Sequence, residues 1–188
     1  MAHLSEANRA RAEALIALYP HRRSALIPIC HLAQAQDGYL CEEAMEDVAE
    51  LCGITAAEVR GTASFYDMLH LEPVGRYVVA FCTNIACMLA GAYELLAHAE
   101  DKLGVRTGQT TPDQLFTLED AECLAGCDTA PCVQVNHRFF GPLDDAGLDA
   151  LFEALRAGAL DAEVPHHGVL SRVERSVGLL NSSAEAGA

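Results

Sequence analysis

"RYVVAFCTNIACMLAGAYELL" (residues 76–96) changes character twice along its length. Its first seven residues are a short apolar run rich in β-branched and aromatic side chains, the pattern of a buried strand. That run ends on Cys82. From about Met88 the pattern is helical and closes near Gly104, which places Cys87 in the intervening loop, just ahead of the helix. A strand, a loop with a Cys-x4-Cys pair and a helix form one α/β unit, so the rest of the chain is read by what can pair with that strand.

Downstream, "TTPDQLFTLEDAEC" predicts a strand at Leu115–Ala121, followed by the Cys123–Cys127 loop "ECLAGC". "CVQVN" and "RFFGPL" read as two strands turning at Asn136 and His137, a hairpin signal. "DDAGLDALFEALRAG" is a closing helix capped by Asp144 or Asp145. The order β-α-β-β-β-α describes a small sheet with helices packed on it. From about Ala159 the pattern fades, and residues 159–188 are expected to be a mobile or partner-docked tail.

Upstream, Pro73 and Gly75 mark a linker or turn. Residues 1–72 read as helices. Ser5 opens the first, which ends at Pro20. Gly38 ends the second, where Pro28 marks either a kink or the first turn. Gly53 ends the third, and Thr55 with Glu58 forms a capping-box pattern at the start of the fourth. Such short helices are marginal alone and must pack on each other. The expected domains are 1–72, 73–158 and 159–188, in an α+β chain.

The chain carries 27 acidic and 12 basic residues, a net charge of −15, which argues against polyanionic partners such as nucleic acid or anionic lipid. No apolar run reaches the roughly 20 residues of a membrane helix, so no direct membrane insertion is expected. The N-terminus lacks the pattern of a signal peptide, and the chain reads as cytoplasmic. There, eight cysteines point to metal or redox chemistry rather than a disulfide framework.

Loops leaving the same ends of neighbouring strands converge in space. Cys82, Cys87, Cys123 and Cys127 can then surround one soft centre. Sulfur ligands select zinc, copper(I) or iron–sulfur clusters. Zinc knuckles favour tighter pairs than the x4 and x3 spacings here, and a [2Fe–2S] cluster, wider, takes two thiolates on each iron. The backbone N–H groups of a helix beginning near Met88, and those of Ala125 and Gly126, are expected to approach the sulfurs. Thiol–disulfide chemistry ordinarily needs Cys-x-x-Cys, but residue 85 is Ile. Buried, unrelated cysteines remain a further reading.

"GTASFYDMLHLEPVGRYVVAFCTNIACMLAGAYELL" and "TPDQLFTLEDAECLAGCDTAPCVQVN", with "AQDGYL" upstream, closely resemble the thioredoxin-like [2Fe–2S] ferredoxin subunit of respiratory complex I, NADH:quinone oxidoreductase. The resemblance runs from about residue 12 to 157. It implies a helical bundle followed by a thioredoxin-like domain, and one [2Fe–2S] cluster on Cys82, Cys87, Cys123 and Cys127. It also implies a flavoprotein partner that binds FMN and NADH, a larger iron–sulfur subunit, and a place in the peripheral arm of a membrane-bound complex. The family's cluster is generally placed off the main electron path. The same module occurs in NAD-linked hydrogenases and formate dehydrogenases. A zinc-stabilised interaction domain is the alternative from another class. Cys132 departs from the apolar residue more often found after "AP", and the tail has no counterpart.

The other candidates are read plainly. Cys30, Cys41 and Cys52 recur every eleven residues but behave as small buried hydrophobes. Cys132 packs at a strand entry, with a redox or ligand role as the sharper alternative. His70 and His137 read as turn or surface residues, and His166 and His167 as an inert pair. "CEEAMEDVAE" reads as a solvated helix face. No catalytic triad, carboxylate pair or phosphate loop is found.

Overall fold

The structure is a computed structural model that describes residues 3–164. It divides into two compact units that part between Pro73 and Val74.

The first unit is four helices, α1 (Glu6–Ile16), α2 (Leu26–Asp37), α3 (Glu42–Cys52) and α4 (Ala56–Ala63). Local chemistry sets their ends. The Ser5 hydroxyl accepts from the Asn8 N–H at the start of α1, and Gly38 and Gly53 adopt left-handed φ at the ends of α2 and α3. Thr55 and Glu58 exchange hydrogen bonds of 3.3 and 3.0 Å as a capping box. Pro28 stands in the first turn of α2, where its missing N–H has no helical acceptor to lose. The helices bury Ile29, Cys30, Leu40, Val48 and Val59 completely. Asp47, in the acidic run of α3, turns inward instead of facing solvent and accepts the Leu4 N–H at 2.6 Å. Buried Gln34 is satisfied at both ends, donating to the Met68 carbonyl and accepting from the His70 N–H.

The second unit is a four-stranded mixed sheet in the order β2-β1-β3-β4. The strands are β1 (Tyr77–Cys82), β2 (Phe116–Ala121), β3 (Val133–Val135) and β4 (Arg138–Phe140). β1 and β2 are parallel, and the other pairs antiparallel. α5 (Ile85–Leu89) and α6 (Ala92–Leu103) connect β1 to β2, and α7 (Asp145–Arg156) closes the unit. The fold class is therefore α+β, with N-terminal helices followed by a sheet unit. The single helix expected from Met88 is corrected to two. Gly91 takes φ 94°, a left-handed turn that breaks the ladder between α5 and α6.

The hairpin falls where the sequence places it. Asn136 and His137 both take positive φ, 44° and 65°, as a two-residue turn between right-twisted strands requires. Asn136 is also clamped to β1, accepting from the Val78 N–H and donating to the Arg76 carbonyl. The core joins Phe81, Phe116, Leu118 and Val133 of the sheet to Leu148, Phe152 and Leu155 of α7. After α7, Asp161 accepts from the Tyr77 hydroxyl at 2.8 Å, and Val164 is fully buried in this core. The rest of the expected tail, with His166 and His167, lies outside the described residues. Among the described residues, no helix is long and apolar enough to cross a membrane.

Candidate metal centre

Parallel pairing sets Cys82, the last residue of β1, opposite Ala121, the last of β2. Both strands therefore release their loops at the same edge of the sheet. Thr83 holds the two exits together, since its N–H and hydroxyl both donate to the Ala121 carbonyl, at 2.9 and 3.1 Å. The antiparallel partner β3 brings a third segment to the same place, and the Cys82 N–H donates to the Cys132 carbonyl at 3.2 Å.

Three cysteine side chains converge at this corner. The sulfurs of Cys82, Cys87 and Cys132 all lie within 4.8 Å of one another, and the Cys87 and Cys132 sulfurs are 3.9 Å apart. All three are buried, at 1–2% exposure. Cys87 is not in a loop ahead of a helix as expected. It is the third residue of α5, because the helix begins at Ile85 behind Asn84.

Cys123 and Cys127 lie in the loop after β2 and are exposed. Their loop is seated on the buried group. Within the loop the Ala125 N–H donates to the Cys123 sulfur at 3.4 Å. Close approach needs glycine at two places. A Cβ on Gly126 would sit 3.1 Å from the Cys132 sulfur and 3.4 Å from the Phe139 ring, and one on Gly141 would overlap the Thr129 carbonyl oxygen and crowd that of Pro131. Sequence reasoning thus locates both loops. It places Cys132 at a strand entry, and the pairing of β3 with β1 sets that buried residue beside Cys82 and Cys87.

The thiols differ in acidity. Burial works against ionisation of Cys82, yet the Leu124 and Asn84 N–H groups and the neighbouring thiols hold it below its ordinary value. Burial raises Cys87 despite its N–H contact. Burial, then the Cys87 and Cys82 sulfurs, push Cys132 up to about 12. Cys82 is therefore the most acidic of the three, and a cation or cluster entering the corner would draw all of them to ionise. The rim is apolar. Ile85, Leu89 and Tyr93 are more than half exposed, and Met88 more than a third.

A sequence model of the family described as thioredoxin-like [2Fe-2S] ferredoxin matches residues 12–156. A subunit of an NADH-quinone oxidoreductase from Rhizobium meliloti is 46% identical over 149 residues, 79% of this chain and 89% of its own length. NADH-quinone oxidoreductase subunit 2 of Thermus thermophilus is 40% identical, over 78% of this chain and 82% of its own. Among solved structures, an NAD+-reducing [NiFe]-hydrogenase in the H2-reduced state aligns with a TM-score of 0.67 at 27% identity. That match covers 75% of this chain and 24% of the hydrogenase chain.

Proposed function

The chain belongs to the thioredoxin-like [2Fe–2S] ferredoxin family, and on that premise we propose that it is an electron-transfer subunit of an NADH-quinone oxidoreductase, holding one [2Fe–2S] cluster on Cys82, Cys87, Cys123 and Cys127. The observation that carries this reading is the junction of the two cysteine loops, where the Thr83 N–H and hydroxyl at the exit of β1 both donate to the Ala121 carbonyl at the exit of β2. The donor set fits the group. Soft sulfurs come from two segments, backbone N–H groups point at sulfur, and Gly126 lets one loop approach the other.

When bound, such a cluster supplies one-electron chemistry at a potential set by its net charge, hydrogen bonds and exposure. The chain's own residues set those terms. The Leu124 and Asn84 N–H groups stabilise negative charge on the Cys82 sulfur, and the buried Cys87 keeps water from one side. Cys123 and Cys127, on the exposed side, face the direction from which a partner can come. Residues 73–158 form the electron-carrying domain and residues 1–72 a helical companion.

The exposed apolar side chains of Ile85, Met88, Leu89 and Tyr93, on either side of Cys87 in the chain, form the docking face. Their partner is a flavoprotein subunit carrying FMN and NADH, with a larger iron–sulfur subunit in the same assembly, placed in a cytoplasmic peripheral arm. A second reading, the same module in an NAD-linked hydrogenase, has the structural alignment in its favour. The higher identities to quinone-reducing relatives favour the first.

The test is isolation of the tagged full chain from its native cells. NADH:quinone reduction in the recovered assembly is the expected result. Hydrogen-dependent NAD+ reduction would transfer the chain to the second host, and recovery without any flavoprotein would overturn both.

A further inference from the structure

Cys132 is a fifth sulfur beside a centre that needs four. It is 1% exposed, 3.9 Å from the Cys87 sulfur and within 4.8 Å of the Cys82 sulfur. These distances match a specific object. A zinc–thiolate bond of about 2.3 Å places ligand sulfurs roughly 3.8 Å apart in a tetrahedral site and roughly 4.0 Å apart in a trigonal one. The Cys87–Cys132 separation lies between those values. The longest separation in the group must close by no more than about 1 Å to reach them.

We propose that Cys82, Cys87 and Cys132 form a mononuclear site for a single soft d10 cation, zinc in the first place, in the chain that does not carry the cluster. Each thiol exchanges its S–H bond for an S–metal bond, releasing three protons to solvent for one divalent ion bound. No electron moves. A water completes the coordination, because Cys123 and Cys127 lie in the exposed loop rather than in the buried group. Gly126, packed at the Cys132 sulfur, keeps that side of the site closed to any bulkier group. Where the cluster takes Cys82 and Cys87, a consequence that rests on the ligand set proposed above, ion and cluster exclude each other.

The test uses the cluster-free full chain and cobalt(II), whose thiolate charge-transfer and visible bands report ligand type and geometry. Wild type and the Cys123→Ser/Cys127→Ser double variant should bind one cobalt per chain with the same thiolate-rich spectrum, displaced by zinc. Cys132→Ala should bind more weakly by more than the roughly 10–100-fold that loss of a ligand's hydrogen-bonding neighbour costs. The same Cys132→Ala chain, reconstituted with iron and sulfide, should still take up the cluster, which shows that it folds. Unchanged cobalt affinity in Cys132→Ala would overturn the site. So would loss of binding in the double variant, which would put the ion on the exposed loop. Failure of the cluster to load in wild type would count against the electron-carrier reading and leave the cobalt result to judge the site by itself.

Discussion

Two groups of buried cysteines, one in each unit, differ at a single member: of the six, Cys82 alone is held below its ordinary value. Cys30, Cys41 and Cys52 sit among Ile29, Ala33, Val48 and Leu51 in the helical core. Burial raises all three thiols, and burial with the nearby Cys52 pushes Cys30 up to about 12. Cys82 is as buried as Cys52, 2% against 4% exposed, yet it is held below its ordinary value. The difference lies in what surrounds the sulfur. In the helical unit burial outweighs what little polar contact the thiols have, since Cys30 has no N–H beside it and Cys41 only that of Ala44 in the first turn of α3. At the end of β1 the chain leaves the ladder, and N–H groups freed by the turn find the sulfur instead. Burial alone raises a thiol, whereas burial at a strand exit beside N–H groups lowers one, Cys82, and favours its thiolate.

The strongest way to break this contrast is to exchange one cysteine from each group. Cys87→Ser should lose the cluster or alter it strongly, read as iron and sulfide per chain, and so should Cys127→Ser in the exposed loop. Cys30→Ser should retain it, and loss of iron in that variant would end the contrast between the groups. The next effect is on the sheet that presents the site. Phe152 packs on Phe116 with ring centroids 5.2 Å apart, and Phe152→Ala should cost about 3–5 kcal/mol in urea unfolding.

A smaller change sharpens the role of the loop. Gly141→Ala would press on the Thr129 and Pro131 carbonyls, so it should cost about 1–3 kcal/mol and make Cys132 react faster with a thiol reagent than in wild type. Unchanged reactivity would mean that the loop is not held from that side.

The smallest effect is read through pH. Cys30 rises from an ordinary 9.0 to about 12 in the folded chain, so between these values the folded state keeps a proton that the unfolded chain has lost. Its contribution is complete below pH 9 and falls as pH rises, by about 1.4 kcal/mol per pH unit. Cys30→Ala should flatten that alkaline slope in denaturant titrations while leaving the slope below neutrality unchanged.

The contrast also shows where the sequence is legible. β1, β2, the Asn136–His137 hairpin and α7 can be read because strand periodicity, turn chemistry and the Asp144 cap are local properties. So can the helix ends at Gly38 and Gly53 and the Thr55 box. The break between α5 and α6 escapes, because Gly91 lies in a pattern that otherwise continues as helix, and only its left-handed φ ends the ladder. The neighbours of Cys132, which is legible as a residue at a strand entry, escape for a different reason. Its place beside Cys82 depends on the pairing of β1 with β3, about fifty residues apart in sequence, and spacing arithmetic carries no information on that register. The inward turn of Asp47 is equally non-local, since it answers the Leu4 N–H from the start of the chain.

The cysteine corner is proposed as a one-electron iron–sulfur site. Its most direct test is iron, sulfide and zinc analysis of the anaerobically purified full chain, with EPR of the dithionite-reduced sample. The expected result is iron and sulfide in equal amounts, as a [2Fe–2S] cluster requires, with an S = 1/2 signal on reduction. Zinc alone, with no colour and no signal even after reconstitution with iron and sulfide, would contradict it and make the cysteine corner a structural metal site.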